Sequence, residues 1–207
     1  MASVAGRIMQ RVSEQPNRRW VCTPKDFLDL GERQAVDKAL SRLVQSGQLR
    51  RVGHGFYDRP VLSELLGRAA PMNLEAAVDA LVRRDGIRIM PNGLVAANGL
   101  GLTNAVPADV SYLTDGYSRT LKFGRRTVRF QHASPRTMSW TGKPAQLVVS
   151  ALLWLGPHAS KDPKVCSMLT HRLPVEVKQD LMANRHHLPG WAHPLVQRIA
   201  SGLGPPE

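Results

Sequence analysis

Cysteine is nearly missing from this 207-residue chain: there are two, Cys22 and Cys166, far apart and outside any CxxC spacing. That count excludes a disulfide framework and a cysteine-based zinc site. Both residues are expected to be small core side chains. Long apolar runs are missing too. None approaches the roughly 20 residues that span a bilayer, and no basic amphipathic helix with a strong apolar face offers a surface-bound alternative. The opening MASVAGRIMQRVSEQPNRR lacks the apolar centre of a secretory signal. A cytoplasmic protein with no membrane partner is the resulting expectation.

Acidic residues are scarce and scattered, so no carboxylate pair suggests itself for general acid–base chemistry. The glycine segments GLGL (99–102) and Gly142-Lys143-Pro144 lack the strand, the spacing and the Lys-Ser/Thr of a phosphate loop. His171, His186, His187 and His193 lie near Cys166 in sequence, but their spacing matches no familiar zinc pattern. Internal repeats and low-complexity tracts are absent. An enzyme is not expected, nor a cofactor or a metal.

What the chain does have is positive charge, and it is unevenly placed. There are 28 Lys+Arg against 16 Asp+Glu, a net of +12, which favours a polyanionic partner, nucleic acid first. Residues 1–60 carry a net +5, residues 61–118 a net −2, and residues 144–207 a net +2. The short stretch 119–143 holds seven basic residues and no acid: Arg119, Lys122, Arg125, Arg126, Arg129, Arg136 and Lys143. Charge placed only for solubility would be spread more evenly.

Hydrophobic residues make up 43% of the chain, enough for a packed interior in one large or two modest domains. Val4, Ile8, Met9 and Val12 predict a helix over 3–13 that stops at Pro16-Asn17. Thr23-Pro24-Lys25-Asp26 is a helix start, with hydroxyl, proline and acid in capping positions. A second helix, ERQAVDKALSRLVQSG, has one apolar stripe at Val36, Ala39, Leu40, Leu43 and Val44. Its other face carries Arg33, Gln34, Asp37, Lys38, Ser41 and Arg42. Two short extended runs around Gly53-His54-Gly55 predict a hairpin.

Further on, helices are predicted over 61–68 and 73–84, a strand over 87–90 and a helix over LVAANGLGL, ended by Pro107. A strand follows over 110–114. In a hairpin over 119–132, Leu121, Phe123, Val128 and Phe130 share the inner face. From Lys143 onward the pattern is helical. AQLVVSALLWL is apolar nearly all round and is expected to be buried, with three more helices near 161–171, 174–184 and 192–201. Trp140, Trp154 and Trp191 are expected as core anchors. The tail GLGPPE is expected to fray.

Helix, short helix, longer helix and basic hairpin is the order of a winged helix-turn-helix over residues 1–60. In such a unit Arg33, Gln34, Lys38, Ser41 and Arg42 face the major groove. Thr23 and Lys25 meet phosphates, and Arg50, Arg51, His54 and Arg59 form the wing. The expected class is α+β, with a second domain over 61–207 built from a small antiparallel sheet and a helical C-terminal part.

The run GERQAVDKALSRLVQSGQLRRVGHGFYDRP resembles the N-terminal domain of the AbiE antitoxin family, the antitoxins of type IV toxin–antitoxin systems. PNGLVAANGLGLTNAVP and VSYLTDGYSRTLKFGRRTVRFQHASPR resemble that family's C-terminal antitoxin domain, so the resemblance covers most of residues 1–136. It implies an autorepressor that binds inverted repeats in its own promoter, in an abortive-infection (phage defence) system. It also implies neutralisation of a nucleotidyltransferase-like toxin, which need not involve a stable complex. Arg119, Lys122, Arg125, Arg126, Arg129 and Arg136 match the family's basic C-terminal surface, which either extends the DNA footprint or acts in antitoxicity. The alternative is a winged-helix regulator, or an RNA- or protein-interaction module, unrelated to a toxin.

Overall fold

The computed structural model describes residues 3–17, 19–64, 67–106 and 109–202. Pro107 and the tail beyond Gly202 therefore lie outside the described residues. The chain forms two compact units. The first runs to Ile87 and takes in Leu121–Thr127; the second takes Arg88–Thr120 and the chain from Val128 onward. The boundary expected after residue 60 falls inside the first unit.

In the first unit, helix α1 (Val4–Glu14) is capped by Ser3, whose hydroxyl accepts from the Gly6 amide at 3.1 Å. Strand β1 (Val21–Cys22) leads into a 3-10 turn over Pro24–Phe27, tighter than the predicted α-helical start. Asp26 fixes that turn by accepting from both the amide and the hydroxyl of Thr23, at 2.7 and 3.0 Å. Helix α2 (Arg33–Gln45) follows, then strands β2 (Arg50–Gly53) and β3 (Phe56–Asp58) around a turn in which Gly55 has φ +75°. The three strands are antiparallel in the order β1-β3-β2.

The core of this unit gathers Ile8, Val12, Cys22, Phe27, Val36, Ala39, Leu40, Leu43 and Leu49. It is where the apolar stripes of α1 and α2 meet. Phe27, with no exposed surface, contributes about 2–3 kcal/mol by leaving water. Burial also pushes the Cys22 thiol well above its usual range.

The helix expected over 61–68 is not seen at its described residues, and Leu65 and Leu66 lie outside them. Strands β4 (Leu62–Ser63) and β5 (Arg68–Ala69) pair antiparallel here, Gly67 has φ +58°, and the Ala70 amide donates to the Val61 carbonyl at 2.7 Å. A helix so short, held between Pro60 and Pro71, has too few internal bonds to offset its nucleation cost. Helix α3 (Leu74–Asp85) starts at Asn73, which accepts from the Ala76 amide, and ends at Gly86 with φ +66°. It packs on β1, with the Arg83 guanidinium donating to the Val21 carbonyl at 2.9 Å.

The second unit holds a sheet of β6 (Ile89–Pro91), β7 (Val110–Thr114), β8 (Arg119–Phe123) and β9 (Arg126–His132), in the order β6-β7-β9-β8. The expected antiparallel arrangement holds for β6 and β7, but β7 and β9 are parallel. The register places Tyr112 opposite Phe130, and their rings stack at 5.8 Å. As predicted, Phe123, Val128 and Phe130 are buried, while Lys122 and Arg129 are exposed.

Helix α4 (Gly93–Gly99) lies against α6 (Gln146–Leu155) at a close crossing. A Cβ at Gly93 would meet the Trp154 side chain and stand 2.6 Å from the Ser150 carbonyl. The one-turn helix α5 (Pro135–Met138) precedes α6; α7 (Pro163–Arg172), α8 (Val175–Ala183) and α9 (Ala192–Ser201) complete the helical part. Trp140 is fully buried in a core with Met138, Leu152, Cys166, Leu169, Leu181, Leu195 and Ile199. Two expectations fail here. Trp154 is 46% exposed rather than a core anchor, and Leu147, two turns earlier on the same side of α6, is exposed as well. Val148 to Leu152 are buried, so most of the α6 circumference is covered as expected, and the exposed part is the narrow strip of Leu147 and Trp154. Trp191 is half-buried. Among the described residues no helix is long and apolar enough to cross a membrane.

Candidate nucleic-acid interface

The two sides of α2 separate cleanly. Val36, Ala39, Leu40 and Leu43 are buried, while Arg33, Gln34, Asp37, Lys38, Ser41 and Arg42 are exposed. The helical period puts the first set inward and leaves the second open. The Arg33 guanidinium donates to the Asp37 carboxylate at 2.8 Å, one turn on, and both side chains stay more than 45% exposed. Such an exposed pair costs little to open when a competing partner arrives.

The residues expected beside this helix divide into two groups. Thr23 is fully buried with its hydroxyl on Asp26, so it reaches no phosphate. Lys25 is exposed, and its ammonium donates to the Arg84 carbonyl at 2.8 Å, at the C-terminal end of α3. Arg50 does not belong to an exposed wing. Its guanidinium makes a forked pair with Asp58, at 3.0 and 2.6 Å, and donates to the Ala70 carbonyl at 2.9 Å. Asp58 is buried, and its bonds raise the Arg50 pKa beyond the ordinary arginine value. Alternation along β2 turns Arg51 the other way, to solvent, where it donates to His54 Nδ1 at 3.3 Å. Arg59 is exposed and reaches the Ser13 hydroxyl at 3.4 Å.

The second basic stretch also divides. Arg136 is a fastener: it donates to the carbonyls of His186, His187 and Leu188, tying α5 to the short turn before Leu188. Arg129 pairs with Asp109 at 2.9 Å. Arg119 lies over the Phe130 ring, 5.9 Å from its centroid, and is half-buried. Lys122, Arg125 and Arg126 are exposed. All three belong to the hairpin tip Leu121–Thr127, which is part of the first compact unit. There the Gly124 amide donates to the Val52 carbonyl at 2.9 Å, and Phe123 meets Phe56 edge-on at 5.0 Å. The sequence shows both charge concentrations but carries no sign that they meet. Gly53 is the nearest thing to a clue: a Cβ there would stand 3.1 Å from the Phe123 ring and 3.2 Å from the Lys122 carbonyl.

Among the described residues no three His, Cys, Asp or Glu side chains converge as metal ligands would. His186 and His187 face each other at 4.1 Å, and burial, the neighbouring imidazole and the cations Lys143 and Arg136 lower the pKa of His187.

The described residues define a mixed α+β protein with an open polar helix face and a basic hairpin tip. The chain belongs to DUF6088, a family of unknown function, which it matches over residues 7–178. Among solved structures it is similar to the RV2827C protein from Mycobacterium tuberculosis, at 18% identity and a TM-score of 0.46, covering 98% of this chain and 78% of that one. No curated protein matches it.

Proposed function

We propose that the first unit is a winged helix-turn-helix that binds duplex DNA, with α2 as its major-groove element and β2–β3 as its wing. One observation carries this: the polar face of α2, from Arg33 to Arg42, is exposed along its length while the opposite face is the anchor of a core. A major groove admits one helix, whose exposed arginine and glutamine can pair bidentately with guanine and adenine. The net charge of +12 supplies the sequence-independent attraction. Thr23 and Arg50 have no part in this contact: Thr23 is buried with its hydroxyl on Asp26, and the Arg50 guanidinium is taken up by Asp58 and the Ala70 carbonyl.

The resemblance to AbiE antitoxins extends the proposal. The chain represses its own operon at inverted repeats, and its second unit neutralises a nucleotidyltransferase-like toxin encoded alongside. The test uses the full chain carrying Arg33→Glu and Lys38→Glu. It is expected to lose promoter binding and repression, to keep its melting temperature, and to go on protecting cells from the neighbouring toxin. A variant that still shifts the promoter fragment would show that α2 is not the reading helix. Equal binding of the native chain to every duplex, or to none, would favour a general RNA- or protein-interaction module. Loss of protection together with repression would unite the two roles in one surface.

A further inference from the structure

Two turns more than sixty residues apart come together in the first unit, and each brings arginine. The tip Leu121–Thr127 is held on β2 by the Gly124–Val52 backbone bond and by the Phe123–Phe56 ring contact. Between the tip and β2 lies a cleft of about 400 Å³ lined by Arg51, Val52, Met72, Phe123, Arg125 and Arg126. Apolar residues and arginines share its lining, and no acidic side chain is among them. Among the described residues no carboxylate pairs with Arg51, Arg125 or Arg126, whereas Arg50 at the same cleft is neutralised by Asp58. Three guanidinium groups without a carboxylate partner thus line one opening. Such an arrangement is stabilised by a partner with repeated negative charge.

We propose that this cleft clamps one sugar-phosphate strand of duplex DNA, with Arg51 on one side and Arg125 and Arg126 on the other. The inference rests on the reading of α2 given above and names a second contact for the same partner. A nucleic-acid strand suits the cleft on two counts. Its phosphates are spaced along a line and match arginines presented from two separate turns, and its sugar faces are apolar enough to lie over Val52 and Met72. Backbone contacts of this kind set position and affinity without reading bases. An acidic protein surface would satisfy the arginines alone.

The experiment compares the native chain with Arg125→Gln/Arg126→Gln on the promoter fragment and on a scrambled duplex, over a range of salt. Two lost phosphate contacts are expected to lower the slope of log affinity against log salt by about 2 and to weaken binding to both duplexes about 10-fold. The preference for the promoter stays the same. Arg125→Lys/Arg126→Lys keeps the charge and is expected to restore the slope. An unchanged slope in a Gln variant of unchanged melting temperature overturns the clamp and leaves α2 as the reading helix. A lost promoter preference overturns the backbone assignment, since bases would then be read at the tip. If the native chain binds no duplex at all, both proposals fall together.

Discussion

Arg50 and Arg51 are adjacent, identical in chemistry and opposite in role. One lies over the buried carboxylate of Asp58 and the other in solvent, because successive strand residues point to opposite faces. Removing Arg50 leaves Asp58 charged and buried without its partner, and leaves the Ala70 carbonyl one donor short. Arg50→Ala is therefore expected to destabilise the protein by about 2 kcal/mol, less than a fully buried pair because the guanidinium is partly exposed. Urea unfolding measures this. Arg51→Ala is expected to change stability by less than about 0.5 kcal/mol and to weaken DNA binding instead. The reverse pattern would mean that the strand presents the other face. The sequence marks the pair as a wing edge. It cannot say which arginine is inward, since that depends on Asp58 eight residues away. The same holds for Arg136, whose three carbonyl partners lie some fifty residues on.

Elements were most legible where the period was long and the ends were capped. α2, α3, α7, α8 and α9 fall where apolar spacing and capping residues predict them, within a residue or two. The stretch 61–68 failed because it is short enough to be decided by its prolines and Gly67 rather than by its own spacing. α6 misled in another way. Its sequence is apolar on every side, but a helix at the margin of a core covers only part of its circumference, so Trp154 and Leu147 emerge. The crossing of α4 and α6 supplies an element-scale prediction. Gly93→Ala places a methyl against Trp154 and the Ser150 carbonyl, forcing the helices apart at a cost of about 1–3 kcal/mol. Thermal unfolding should show the loss. Stability unchanged by Gly93→Ala would contradict the close crossing.

At the scale of the molecule, the sequence tells that charge is concentrated in two places but not that one of them reaches into the other's unit. Contacts such as Gly124 to Val52 leave no periodic trace, and no local propensity encodes them. The mixed α+β class follows from the order of the elements; the parallel pairing of β7 with β9 does not, because strand order in a sheet is a long-range property. In the proposed complex α2 reads DNA while the basic surface of the same unit supplies affinity. The most direct measurement is binding of the full native chain to its own promoter and to a scrambled duplex, across salt, beside the Arg33→Glu/Lys38→Glu variant. Promoter preference of at least about 10³-fold, steep salt dependence, and loss of that preference in the folded variant are the predicted results. A variant that binds the promoter as the native chain does would contradict a reading role for α2.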